Sequence, residues 1–169
     1  MKNIEIKIAI KNNSKKIISF LKKIGAKYNG EFYQYDTYYN CKNGRLKLRE
    51  INKKNFELIF YRRPNKNGSK LSDYQVLNIQ PEQLNTIKNI FKDAFGEKIT
   101  VEKKRSLWLY KNTRIHLDKI TGLGNFLELE TMVKGKNLKG AKSEHGKIVN
   151  LLKLLKYKVI NGSYSDMFV

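Results

Sequence analysis

Residues Arg114 to Glu130 read R-I-H-L-D-K-I-T-G-L-G-N-F-L-E-L-E. The stretch has the form of two strands joined by a Gly-rich bend. Side chains alternate between faces along a strand, so Arg114, His116 and Asp118 share one face of the first strand, opposite Ile115 and Leu117. On the second, Glu128 and Glu130 oppose Leu127 and Leu129. The polar face concentrates carboxylates, the hard oxygen ligands that Mg²⁺ and Mn²⁺ prefer.

The same alternation recurs with the opposite sign. Glu5 and Lys7 interleave with Ile4, Ile6, Ile8 and Ile10; Arg45, Lys47 and Arg49 interleave with Leu46 and Leu48; Lys103 and Arg105 share a face within 101–107. A more apolar run over 56–63 ends in Arg62 and Arg63. One such strand is no more than a sheet wet on one face. Several of them, sorted into basic and acidic sets, suggest a barrel or deep cup turned inside out, its lumen charged and its apolar exterior covered by helices. A lumen of that kind suits a polyphosphate held by cations and bridged by metal.

Turn and cap signals divide the rest of the chain. Strands are predicted over 3–10, 31–39, 45–50, 56–62, 99–108, 113–119 and 125–133, with a shorter one over 73–77. Asn12-Asn13-Ser14 caps a helix reaching Ile24 before Gly25, Pro81 opens a second running to Phe95, and a third covers 141–155. Loops are expected over 64–69 and 135–140. Eight strands linked mostly by hairpin turns, with three helices, predict an α+β fold built on a mostly antiparallel barrel. The 169 residues fit a single domain, 1–169.

Lys and Arg number 35 against 15 Asp and Glu, for a net charge of +20. Such a field attracts polyanions. The lysine runs at Lys15-Lys16, Lys22-Lys23 and Lys53-Lys54 read as solvated faces. With Cys41 as its one cysteine the chain forms no internal disulfide, which points to a reducing compartment. No apolar run is long enough to span a bilayer and the first residues enter a strand at once, so a cytoplasmic protein without a membrane partner is expected. Nucleic acid is not the expected partner either, for no RNP-like motif or zinc spacing is present.

The ordered set of motifs resembles the CYTH family, the triphosphate tunnel metalloenzymes, across nearly the whole chain. Its opening E-x-E-x-K strand stands here as Asn3-Ile4-Glu5-Ile6-Lys7, with Asn3 in place of the first acid. An aromatic segment follows as Gln34 to Tyr39, then the basic strand Arg45 to Glu50, and Arg62 before Arg63-Pro64. V-E-K-x-R is present as Val101 to Arg105, D-x-x-x-G-L-G-x-F-x-E-x-E as Asp118 to Glu130, and S-Y-x-D as Ser163 to Asp166. Within the family the class IV adenylate cyclases are most similar.

The resemblance implies a closed barrel with a tunnel, and an enzyme that converts ATP to 3′,5′-cyclic AMP and pyrophosphate with Mg²⁺ or Mn²⁺. It implies catalytic roles for Lys7, Arg62, Lys103 and Arg105, and substrate contacts from Arg45, Lys47, Arg49, Arg114 and His116. Glu5, Asp118, Glu128 and Glu130 become the metal ligands. ATP or another triphosphate is the expected partner, and a homodimer is compatible with this reading. Two alternatives stand beside it: an inorganic or thiamine triphosphatase in the same tunnel, and a non-catalytic binder of polyphosphate or RNA.

Overall fold

The computed structural model describes residues 1–135 and 137–168. Lys136, inside the loop expected over 135–140, lies outside the described residues, as does Val169. Eight strands form one closed antiparallel barrel: β1 (Lys2–Ala9), β2 (Lys27–Tyr39), β3 (Arg45–Ile51), β4 (Asn55–Arg62), β5 (Lys70–Ile79), β6 (Glu97–Tyr110), β7 (Thr113–Ile120) and β8 (Gly124–Met132). Their order around the wall is β1-β5-β4-β3-β2-β6-β7-β8. β1 closes the ring by pairing with both β5 and β8, so no strand is left with an unpaired edge.

Three α-helices lie outside: α1 (Ser14–Lys23), α2 (Leu84–Phe95) and α3 (Leu138–Leu151). The main core is therefore between barrel and helices. Ile6, Ile8, Ile115, Leu127 and Leu129 point outward and pack with Ile17 and Leu21 of α1 and Ile148 and Val149 of α3. Ile8, Leu127 and Leu129 are fully buried, and each side chain of that size contributes about 1.5–3 kcal/mol by leaving water. A second outer cluster joins Leu48, Phe56 and Ile79 to Leu84, Ile87 and Phe91 around α2. Among the described residues no helix is long and apolar enough to cross a membrane.

Several elements differ from their sequence outlines. β5 runs over Lys70–Ile79 instead of 73–77, because it has a ladder partner on each side, β1 and β4. β2 starts at Lys27, four residues early, and crosses a register shift between Tyr28 and Glu31 at Gly30 (φ +117°). A 3-10 turn at Pro81–Gln83 precedes α2. The third helix spans Leu138–Leu151, and Leu154 follows in a separate 3-10 turn. Gly44, between β2 and β3, has φ +83°, and a Cβ there would lie 2.8 Å from the Tyr61 carbonyl oxygen, so only glycine fits.

The segment after α3 closes one end of the barrel. The Ala9 amide donates to the Lys158 carbonyl at 3.0 Å and the Ile160 amide to the Lys7 carbonyl at 2.9 Å. Lys70 Nζ donates to the carbonyls of Ile160, at 3.1 Å, and Asn161. A 3-10 turn at Tyr164–Met167 then carries Tyr164 into the lumen, against Phe126.

Candidate active site

The open part of the lumen is a cavity of about 980 Å³. Its lining follows from strand parity: Glu5 and Lys7 from β1, Gln34 from β2, Lys47 and Arg49 from β3, Lys103 and Arg105 from β6, Arg114 and His116 from β7, Glu128 and Glu130 from β8. Each alternates with an outward apolar or exposed neighbour. Fixed strands hold these groups, which limits the entropy lost when they bind a ligand.

Arg105 anchors the charged wall. Its Nε donates to Asp118 Oδ1 at 2.7 Å, and its Nη2 donates to Asp118 Oδ2 at 2.6 Å and Glu128 Oε2 at 2.9 Å. The Tyr164 hydroxyl donates to Asp118 Oδ2 at 2.8 Å. Burial works to raise Asp118, but Arg105 overcomes it and holds this carboxyl well below the usual range. Burial likewise opposes Lys7 and Arg105 at Glu128, and they win, bringing it down to about 2. Lys7 Nζ lies 3.5 Å from Glu128 Oε1 and 3.8 Å above the Tyr164 ring. Arg114 Nη2 lies 2.8 Å from Glu130 Oε2.

Glu5, Glu128 and Glu130 each offer an oxygen, all within 4.8 Å of one another. Three carboxylates that close repel unless a cation joins them. Glu5 is raised, by burial first and then by Glu128, although Arg63 is hydrogen-bonded to it. Asn3 Oδ1 and His116 Nδ1 line the same cavity, are buried, and have no hydrogen-bond partner among the described residues, while His116 Nε2 lies 3.4 Å from Glu130 Oε2. An orphaned buried acceptor costs about 1–3 kcal/mol, which a ligand or ion would recover. The donor set is hard oxygen, so the residues fit Mg²⁺ or Mn²⁺. Burial and the nearby Arg105 lower His116, leaving it neutral at pH 7.

Around the other half of the ring part of the wall is neutral, a strip interrupted by Lys47 and Arg49 of β3 and Glu57 of β4. Gln34, Ile51, Ile59, Val76 and Asn78 face the cavity from β2 to β5, with Phe32 at the mouth. Gln34 Oε1 is also buried without a partner among the described residues. Asp36 accepts from Lys47 Nζ at 2.9 Å, Arg49 Nε at 2.7 Å and Lys103 Nζ at 2.6 Å.

Three expected positions are corrected. Arg62 is exposed and points outward beside the Phe60 ring, while Arg63 enters the cavity and meets Glu5. Ile59 and Tyr61 already line the lumen, so continued alternation turns 63 inward and 62 out. Asp118 is apart from the three clustered carboxylates, its oxygens taken by Arg105 and Tyr164. The register explains this, since Arg105 lies directly opposite Asp118. Arg45 faces a smaller cavity at the opposite end, bonded to Asp166 at 2.8 Å and Asn65 at 2.7 Å. Sequence reading passed over Arg63, Asp36, Gln34 and Tyr164; the parity of β2 and β4 was the available signal for the first three.

The CYTH domain pattern matches residues 1–161. The chain belongs to the CYTH family. A Methanocaldococcus jannaschii relative, provisionally named an adenylate cyclase, is 27% identical over 174 residues, covering 97% of this chain and 98% of its own. Two solved structures share the fold. The PH1012 protein of Pyrococcus horikoshii has a TM-score of 0.81 at 21% identity, with 97% of this chain and 98% of that one covered. A Vibrio parahaemolyticus protein, also provisionally described as an adenylate cyclase, has 0.74 at 17%, with 98% and 97% covered. In this CYTH barrel seven cations (Lys7, Lys47, Arg49, Arg63, Lys103, Arg105 and Arg114) line the cavity. They face five carboxylates: Glu5, Glu128 and Glu130 in the lining, and Asp36 and Asp118 bonded to the cations. Lys54 and Glu57 offset each other at the rim. Two positive charges remain in excess, and one divalent ion would raise that to the about four negative charges of a nucleoside triphosphate.

Proposed function

We propose that the protein is a divalent-metal-dependent adenylate cyclase, converting ATP to 3′,5′-cyclic AMP and pyrophosphate in this tunnel. The observation that carries the reading is the mixed lining of the cavity: charged groups for the triphosphate and an uncharged strip of Gln34, Ile51, Ile59, Val76 and Asn78, with an unpartnered Gln34 carbonyl, for a nucleoside. A bare triphosphate would leave the uncharged strip without a partner. The ribose 3′-hydroxyl oxygen bonds to the α-phosphorus, the bond from that phosphorus to the bridging oxygen breaks, and pyrophosphate leaves with the electron pair.

The residues do this mainly by orientation and charge. Lys47 and Lys103 hold phosphate oxygens as point charges, and Lys7, Arg63 and Arg105 meet charge developing on the leaving group. His116, neutral, with Nε2 beside Glu130 and Nδ1 unpartnered, receives the hydroxyl proton. Phe32 shields the base from water. Glu5, Glu128 and Glu130 would hold a divalent ion, which would supply Lewis acidity at the reacting phosphate.

Hydrolysis of the terminal phosphate is the second reading. It is favoured by the concentration of three carboxylates at one point of the wall, where an attacking water also finds acceptors. Incubation with ATP and Mn²⁺ or Mg²⁺, followed by chromatography, separates the readings. Cyclic AMP with pyrophosphate is the expected result; ADP with phosphate would replace cyclisation by hydrolysis; unchanged ATP would overturn both.

A further inference from the structure

We propose that Asp36 is a positioning residue whose single carboxylate assembles Lys47, Arg49 and Lys103 into a preformed phosphate-binding array. Three cations from two strands converge on one side chain that is itself fully buried. Arg49 gives it both Nε, at 2.7 Å, and Nη2, at 2.9 Å. That fork is therefore committed to the carboxylate, and Arg49 serves as a brace. Each ammonium gives one of its three donors to Asp36 and keeps two for another acceptor. Lys47 and Lys103 both line the cavity, whereas Asp36 does not. The anion is thus beneath the array and the cationic surface faces the ligand. The inference rests on the reading that the tunnel holds a triphosphate, and it holds for cyclase and hydrolase alike.

Packed alone, these cations would repel one another and shed protons. Burial and Arg49 pull Lys47 down to about 8, and Asp36 pulls the other way. Burial also lowers Lys103, with Arg49, Arg105 and Lys47 adding to it and Asp36 opposing. Asp36 stays ionised because Arg49, Lys103 and Lys47 together overcome its burial. The other titratable groups nearby are Tyr38 and Tyr61, both raised by burial and therefore neutral, and Tyr164, which is likewise raised by burial. Without the carboxylate, both lysines would lose charge at a lower pH.

Calorimetric binding of inorganic tripolyphosphate to Asp36→Asn, Asp36→Glu and the parent chain tests this across pH 6 to 9. Asp36→Asn keeps the shape and removes the charge. Its affinity should fall about tenfold or more at pH 8, the scale of one charged hydrogen bond. It should recover toward pH 6 as the lysines regain protons, so the alkaline limb moves down by about one pH unit or more. Asp36→Glu keeps the charge and displaces the carboxylate, so its loss should be independent of pH. A folded Asp36→Asn that binds as tightly as the parent, or with the same pH profile, would overturn the proposal. Tighter binding would also overturn it, by making Asp36 a competitor of phosphate. If Asp36→Asn does not fold, Asp36→Asn/Lys47→Met removes one charge of each sign and is compared with Lys47→Met. The double variant should bind about tenfold more weakly at pH 8, through Lys103; equal binding would refute the role. A parent chain that binds no tripolyphosphate would defeat the triphosphate reading itself.

Discussion

Replacing Arg105 with Ala should unfold the charged wall from within. Arg105 is 5% exposed and makes three charged hydrogen bonds, two to Asp118 and one to Glu128. The substitution strands two buried carboxylates. Removing one partner of a buried ion pair costs about 3–5 kcal/mol, and in a chain of this size each kcal/mol moves the melting temperature by about 2–4 °C. The expected loss is roughly 10 °C or more at pH 7. In the parent chain Asp118 is depressed, so it stabilises the fold above about pH 4, its unfolded value, and that contribution fades as pH falls. In the variant the main opposing charge is gone and burial is resisted only by Lys103 and the Tyr164 hydroxyl, so the folded pKa rises and Asp118 stabilises the fold less. The gap between the two proteins should therefore be widest near pH 7 and narrow toward pH 5. Urea unfolding at both pH values measures it. A gap below about 1 kcal/mol at pH 7, unchanged at pH 5, would mean that Arg105 behaves as a solvated surface charge.

The other expectations concern activity and binding. Glu128→Gln and Glu130→Gln should each lower turnover at fixed Mn²⁺ by about 10²-fold or more, since a metal contributes several kcal/mol of charge stabilisation, and calorimetry should show weaker Mn²⁺ binding. Asn3→Glu should tighten Mn²⁺ binding by placing a fourth acid at the cluster, and equal affinity would remove residue 3 from the coordination sphere. Lys103→Ala should cost at least about 2 kcal/mol in kcat/KM, whereas Lys16→Ala and Lys53→Ala, on exposed lysines, should stay within a few-fold and converge on the parent at high salt. Equal losses from all three would favour a polyanion-binding surface over a tunnel. Gln34→Leu should raise the KM for ATP by about tenfold and leave tripolyphosphate affinity unchanged; a matching loss for both ligands would take the base away from the uncharged strip.

Much of this architecture is legible because the lumen is charged. Over 4–8 in β1, 45–49 in β3, 114–118 in β7 and 127–130 in β8 polar residues alternate strictly with aliphatic ones, so period two is unmistakable. β5 lacks that contrast: its lumen side offers Ser72, Tyr74, Val76 and Asn78, and its length is set by neighbours as far as 71 residues away in sequence (Lys2 opposite Asp73) or nearer, such as Arg62 opposite Asp73. The site was legible as a composition, not as a wiring diagram. Which cation meets which acid depends on strand register, and register depends on turns. Asp118 reads as a ligand until Arg105 is found opposite it, and Asp36 reads as part of an aromatic strand until Lys103 reaches it from across the β2–β6 pairing. Arg62 and Arg63 are adjacent basic residues at the end of a strand, where one residue of phase decides which is inside.

A crystal structure with Mn²⁺ and ATP carrying a methylene between the α- and β-phosphates, which blocks cyclisation, would show most directly what the tunnel holds. Anomalous scattering should place Mn²⁺ among Glu5, Glu128 and Glu130, with the triphosphate against Lys47 and Lys103 and the base beside Phe32 and Gln34. Nucleotide bound on the outer lysines, or Mn²⁺ away from those carboxylates, would contradict this arrangement.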